Sequence, residues 1–263
     1  VSATLGRTDR LVDISGQTLE CRLIALHPSS ATLVFLHEGL GSVALWGDWP
    51  EKLAAQVGLN ALIYSRKGYG RSSRLDAPRT SDFMHREAFD VLPRLLDKLE
   101  IERPVIVGHS DGGSIGLLFA SRPEHRTRAA VIMAPHVLVE AISIDAITAA
   151  RAAYLEGELR ARLKRYHEDV DGAFFGWNDI WLNPDFVHWN IERELDTIDC
   201  PTLAIQGTAD EYGTMQQIEL ITRRVKGSVA LQLEGCRHSP HRDRSDQVIA
   251  SIAQFLSRSG VTG

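Results

Sequence analysis

Gly108-His109-Ser110-Asp111-Gly112-Gly113 lies between an apolar, β-rich run, Pro104 to Val107, and a helical pattern, Gly113 to Ser121, closed by Arg122-Pro123. A G-x-S-x-G stretch in that setting predicts a tight, strained strand-to-helix turn carrying an exposed serine hydroxyl. The glycines are required because strand and helix backbones approach so closely that a Cβ would clash. A serine there also sits at a helix N-terminus, where free N–H groups and the helix dipole favour developing negative charge. Ser110 is therefore the candidate nucleophile.

Working outward, short apolar runs alternate with helical patterns. Leu19 to Leu26, Ala31 to Leu36, Ala61 to Tyr64, Ala129 to Met133, Thr202 to Gln206 and Val229 to Leu233 read as strands. Trp46 to Val57, Ser81 to Leu99 (with Pro93 as a kink or break), Gln216 to Val225 and Asp243 to Arg258 read as helices. Such alternation predicts an α/β fold with a mostly parallel, doubly wound sheet. Residues 136–198 interrupt it with helical, charged sequence rich in aromatics: Tyr154, Tyr166, Phe174, Phe175, Trp177, Trp181, Phe186 and Trp189. The expected organisation is thus a core in two parts, 1–135 and 199–263, with 136–198 inserted as a helical cap. No internal repeat or low-complexity stretch is seen.

The 263 residues, 44 % of them hydrophobic, suffice for one sizeable core. A formal net charge of -5 gives no basic footprint for nucleic acid or an anionic membrane. The basic run Arg160 to Arg165 reads as a solvated helix face. Three widely spaced cysteines, Cys21, Cys200 and Cys236, fit neither a disulfide framework nor a zinc site, and a cytoplasmic location is expected. No apolar run spans a bilayer, and the sequence from Val1 shows no basic segment followed by an apolar core, so no signal peptide is expected.

A serine hydroxyl needs an adjacent base, itself oriented by a carboxylate. Asp210, in the loop after the strand Thr202 to Gln206, is the expected acid. Asp199 precedes that strand, at the wrong end of the sheet, and Glu211 comes one residue late. His238, in Gly235-Cys236-Arg237-His238-Ser239-Pro240, is the expected base, with His241 as competitor at the start of the last helix. His27, His85, His125, His167 and His188 read as structural or surface groups, whereas His109 and His136 lie close enough to line the site.

Leu36-His37-Glu38-Gly39-Leu40-Gly41-Ser42 follows the strand Ala31 to Leu36, and backbone N–H groups from such a loop, with that of Asp111, are positioned to bind an oxyanion. Glu38 either contacts substrate or, as preferred here, pairs with Arg66 or a neighbouring N–H. Arg66-Lys67-Gly68-Tyr69-Gly70-Arg71-Ser72 reads as a structural loop.

Across nearly its whole length the chain resembles the α/β-hydrolase superfamily, in the elbow, the cap insertion and the order serine, acid, histidine, with a proline two residues after the histidine. The loop at Leu36 resembles the superfamily's His-Gly-x-x-Gly segment, with Glu38 in place of a glycine. That resemblance implies Gly39 N–H as the second oxyanion donor, with Leu40 as alternative. The turn at Arg66 resembles its Arg-Gly-x-Gly-x-Ser, with Lys67 for Arg and Ser65 for Asp. Epoxide hydrolases and haloalkane dehalogenases of the superfamily use an aspartate nucleophile, which Ser110 argues against.

The implied chemistry is acyl transfer through an acyl-enzyme, without metal or organic cofactor, on a small or medium, apolar ester or related acyl substrate. Glu38, Leu40, His109, His136, Trp177 and Trp181 are the candidate substrate contacts; for any single cap aromatic, core packing is the simpler role. Three activities share these features: carboxylic-ester hydrolysis, thioester or C–C bond hydrolysis on a catabolic intermediate, and a slow-turnover ligand receptor of the same fold. A cationic clamp from Arg151, Arg160 or Arg162 would select a carboxylate-bearing substrate. Oligomeric state has no signal in the sequence.

Overall fold

The computed structural model describes residues 6–26 and 31–262. His27 and the chain start at Val1 therefore lie outside the described residues. Eight strands form one sheet: β1 (Gly6–Ile14), β2 (Gln17–Ala25), β3 (Thr32–Leu36), β4 (Asn60–Tyr64), β5 (Val105–His109), β6 (Ala129–Met133), β7 (Thr202–Gly207) and β8 (Val229–Leu233). They lie in the order β1-β2-β4-β3-β5-β6-β7-β8. β1 and β2 run antiparallel to their neighbours, and from β4 to β8 the pairing is parallel.

The central strands are apolar on both faces, as a sheet covered on both sides requires. Side chains alternate with period two. Leu33, Phe35, Val105, Val107, Val131 and Ile205 enter one core, where α1 (Trp49–Val57) and the C-terminal helix pack. Val34, Leu36, Ile106, Ile132 and Ala204 enter the other. That second face carries α2 (Phe83–Arg86), α3 (Leu92–Lys98) and α4 (Asp111–Ala120). Every residue of α4 is buried, since it has sheet on one side and, on the other, the helical segment Phe83–Val91 and the helix Glu192–Leu195.

Between β6 and β7 the chain runs through α5 (Ala141–Leu155), α6 (Leu159–Leu163), α7 (Val170–Trp181) and α8 (Glu192–Leu195). After β7 come α9 (Gln216–Arg224), β8, α10 (Pro240–Asp243) and α11 (Ser245–Arg258).

Three sequence expectations need correction. The sheet begins one strand earlier than Leu19: β1 pairs with β2 through a turn at Ser15 and Gly16, both at positive φ (55° and 84°). β1 is an edge strand exposed along most of its length, so it lacks an apolar period. The helix expected over Ser81 to Leu99 is broken by a π-helical turn, Glu87–Val91, directly before Pro93. Proline has no N–H to give the helical ladder, and the wide turn takes up the lost register. The helix expected from Trp46 begins at Trp49, after turns over the preceding residues.

The loops after β3, β5, β6, β7 and β8 meet at the carboxyl ends of the strands. The chain leaves β3 toward β4 on one side and returns to β5 on the other, which makes this edge a topological switch point, where open α/β sheets place ligands.

Candidate active site

Ser110 stands between β5 and α4 with φ 54° and ψ -121°, a region that side-chain-bearing residues rarely adopt. Its N–H donates to the Met133 carbonyl (2.9 Å) and its carbonyl accepts from Ser114 N–H (3.0 Å). The elbow is tight enough to exclude any Cβ at two glycines. One built on Gly108 would lie 2.3 Å from the Gly112 carbonyl oxygen, and one on Gly112 would lie 2.0 Å from that of Leu36.

The loops after β7 and β8 bring Asp210 and His238 to this serine. His238 Nε2 lies 2.9 Å from Ser110 Oγ, and Nδ1 lies 2.8 and 3.0 Å from the two Asp210 oxygens. With Nδ1–H donating to the carboxylate, Nε2 is free to accept the serine proton. Asp210 is held from two further sides. Gln206 Nε2 donates to Oδ2 (2.7 Å) and Tyr212 N–H to Oδ1 (2.8 Å). Burial pushes the Asp210 carboxyl up, but the His238 bond and charge and the Tyr212 N–H outweigh it and hold the group below its ordinary value. The carboxylate is thus ionised at neutral pH.

The competitors sit elsewhere. Glu211 accepts from His238 N–H (3.2 Å) and pairs with Arg237 (2.8 Å), bracing the loop instead of the imidazole ring. Asp199 is exposed, ahead of β7. His241 stands in the short helix α10, ahead of the last helix, and is buried against Trp46, Trp49 and His109, at ring distances of 4.9, 5.5 and 4.7 Å. Neither of its ring nitrogens has a hydrogen-bond partner among the described residues.

The loop after β3 forms a turn, with Gly41 N–H donating to the Glu38 carbonyl (3.1 Å). That carbonyl also accepts from His37 Nδ1 (2.6 Å) and from Arg66 (3.1 Å), whose guanidinium binds the His37 carbonyl as well. A trans peptide points its C=O and N–H opposite ways. Anchoring the Glu38 oxygen on Arg66 therefore turns Gly39 N–H away from the guanidinium. Gly39 has no room for a side chain, since a Cβ there would lie 2.1 Å from Trp177 Nε1.

The expected pairing of the Glu38 carboxylate with Arg66 is not what the structure shows. Arg66 meets Glu38 only through its main-chain oxygen and approaches Asp111 Oδ2 at 3.8 Å. The Glu38 carboxylate instead faces His109 Nδ1 (3.5 Å) and Arg242 (3.8 Å). Burial would raise its pKa, yet the nearby His109, then Arg242 and His241, hold it well below the usual carboxylate range. His109 Nε2 donates to the His238 carbonyl (2.7 Å), so His109 stands between the loop after β3 and the loop of His238.

A cavity of about 190 Å³ opens beside Ser110. Of the expected contacts, Glu38, Gly39, Leu40, His109, Asp111, His136, Trp177 and Trp181 all line it. The other aromatics singled out in residues 136–198 do not, and several pack on one another: Tyr154 stacks on Phe174 at 3.7 Å and Phe186 on Trp189 at 5.5 Å. The candidate cationic clamp is likewise absent from the cavity wall. Arg151 pairs with Asp179 and Arg160 with Asp171, while Arg162 is exposed. Tyr212, Ile147 and Ser239 line the cavity without having been anticipated, as does Glu211, weighed only as an acid. Tyr212 packs on the His238 ring at 4.6 Å. Its place two residues after Asp210 was the available signal.

His136 sits in the wall, edge-on to Trp181 (4.8 Å) and 6.0 Å from the His238 ring. Burial, then the His238 charge, push it down to about 3 against the attraction of Asp210, so it is neutral. The neutral form is preferred by the fold. Its stability contribution is present above the unfolded value near 6.5 and is lost as pH falls from there toward 3. Between pH 6.5 and 4 the urea stability of the native chain is therefore expected to fall more steeply than that of His136→Asn. The difference in slope should approach about 1.4 kcal/mol per pH unit. Parallel slopes would show that His136 does not titrate this way.

Residues 33–251 match the family model described as the alpha/beta hydrolase family, and the chain belongs to that family. It is 24% identical over 287 residues to a proline iminopeptidase of Saccharolobus solfataricus, covering 93% of this chain and 91% of that one. It is also 25% identical over 260 residues to an sn-1-specific diacylglycerol lipase of Danio rerio, covering 86% and 78%. Among solved structures, the enol-lactonase from Burkholderia xenovorans LB400 superposes with a TM-score of 0.76 at 20% identity, over 94% of this chain and 100% of that one, a likeness of fold. By family, then, the chain is a hydrolase.

Proposed function

We propose that the protein is a serine hydrolase that cleaves carboxylic esters with a small, apolar acyl group through an acyl-enzyme. The observation that carries this reading is the unbroken line from Asp210 through His238 to Ser110, with contacts of 2.8 and 2.9 Å. In it, Ser110 Oγ attacks the carbonyl carbon while His238 Nε2 takes its proton. Asp210 holds the ring tautomer and stabilises the imidazolium. The N–H groups of Gly39 and Asp111 bind the oxyanion, each donor being worth on the order of 3 kcal/mol in the transition state. His238 returns the proton to the leaving oxygen, then activates water to release the acid.

Cavity size supports a small acyl group. An apolar cavity of ~150 Å³ takes up benzene, and this one, at about 190 Å³, has room for one ring or a short chain. Among the described residues no arginine or lysine lines it, which disfavours a carboxylate-bearing substrate. We assign residues 136–198 the role of a cap that roofs the cavity through Trp177 and Trp181.

The test is a panel of p-nitrophenyl esters of increasing acyl length with a matched thioester series. The expected optimum lies at roughly two to six acyl carbons, falling for longer chains. Preference for thioesters would move the reading to a thioesterase. Negligible turnover on every member would overturn it in favour of a C–C hydrolase or a binding protein.

A further inference from the structure

The loop between α6 and α7 carries His167, which is 4 % exposed and does not line the cavity. Its ring bridges two loops of the core. Gly70 N–H lies 3.0 Å from Nδ1, and the Leu40 carbonyl lies 3.0 Å from Nε2. The partners fix the tautomer. A backbone N–H can only donate, so Nδ1 accepts; a carbonyl can only accept, so Nε2 carries the hydrogen. A neutral imidazole is a rigid plane offering one acceptor and one donor, and both are used.

Each partner belongs to a different part of the site's support. Leu40 lies in the turn Glu38 to Gly41, whose opposite side is held by Arg66 and His37. Gly70 lies in the turn after β4 and is held a second time, its carbonyl accepting from Glu168 N–H at 3.0 Å. Tyr69 fills the space between, with ring contacts to His37 (5.0 Å) and His167 (5.9 Å) and the Arg66 guanidinium 5.2 Å from its centroid. The turn of Gly39 is therefore fixed on one side by the core and on the other by the insertion. The insertion also reaches the residue after the serine, since Trp181 Nε1 donates to Asp111 Oδ1 (3.1 Å).

We propose that His167 is a positioning residue through which the inserted helices set the oxyanion-binding turn, its bond to the Leu40 carbonyl fixing the placement of Gly39 N–H. This rests on the reading of Gly39 and Asp111 as oxyanion donors. Such a donor acts on the transition state more than on bound substrate, so its misplacement lowers kcat and spares KM. Losing one donor outright costs about 10²–10³ in kcat, and a shift of about 1 Å costs up to ~10².

The experiment is steady-state kinetics on the best p-nitrophenyl ester for the native chain, His167→Ala, His167→Gln and Ser110→Ala. His167→Ala is expected to lose roughly 10- to 100-fold in kcat with KM within about threefold. Glutamine offers one acceptor and one donor on a planar group, so His167→Gln is expected to recover most of the loss. Should His167→Ala fail to fold, His167→Met keeps the volume while removing both bonds, and the same loss in kcat is expected. A native kcat in the Ala or Met variant, a loss confined to KM, or a Gln variant no better than Ala would overturn the inference. If Ser110→Ala retains activity, the serine-hydrolase reading itself fails. If Ser110→Ala is inactive while His167→Ala turns over normally, only the role of His167 falls.

Discussion

Ser110→Ala is expected to lower kcat/KM on the preferred ester by roughly 10⁴- to 10⁶-fold, because its Oγ is the hydroxyl that meets His238 Nε2. The substitution removes one oxygen and leaves the elbow intact. Alanine and serine carry the same Cβ, so the strain at φ 54° is unchanged. The main-chain bonds to Met133 and Ser114 do not involve the hydroxyl. The urea midpoint should therefore match that of the native chain, which separates lost chemistry from lost fold. Native-level hydrolysis in this variant would remove the proposed mechanism altogether.

The second large effect separates two histidines three residues apart. His238→Ala is expected to reduce kcat/KM by a factor comparable to Ser110→Ala, since members of such an array act as a unit. His241→Ala removes a ring packed between Trp46, Trp49 and His109 that makes no hydrogen bond among the described residues. Its cost should appear in stability, about 2–4 kcal/mol for a buried ring replaced by a methyl. Its kcat should stay within about threefold of the native value. Kinetics and urea denaturation on both variants give the comparison. An inactive but stable His241→Ala would assign the base to the wrong residue.

What the sequence made legible follows the physics of each element. β3, β5, β6 and β7 are buried on both faces and read as continuous apolar runs. Ser110, Asp210 and His238 stand in loops that directly follow strands, so a motif and an order along the chain sufficed to nominate them. β1 escaped because an exposed edge strand has no apolar period, although Ser15-Gly16 carried a turn signal. The π-helical turn escaped because Pro93 signals a break without specifying its form.

In the site, the residues whose partners stayed hidden are those that make contacts distant in sequence. Arg66 was read as part of a structural loop and as the partner of the Glu38 side chain. Its guanidinium holds main-chain carbonyls 28 and 29 residues away instead. His167 reads from the sequence as a structural or surface group, and its partners, Leu40 and Gly70, stand 127 and 97 residues away. No local pattern encodes such bridges. Glu38, by contrast, stands out because it replaces a glycine, but its partners His109 and Arg242 become visible only once the loop after β3, the end of β5 and α10 have met.

The central claim, that Ser110 is the nucleophile activated by His238 and Asp210, is tested most directly by covalent labelling. The native chain is incubated with an alkyl fluorophosphonate and the adduct is located by peptide mass spectrometry. A single adduct on Ser110, absent from Ser110→Ala and formed much more slowly in His238→Ala, is the expected result. Labelling at another residue, or an unlabelled Ser110 in the folded chain, would contradict it.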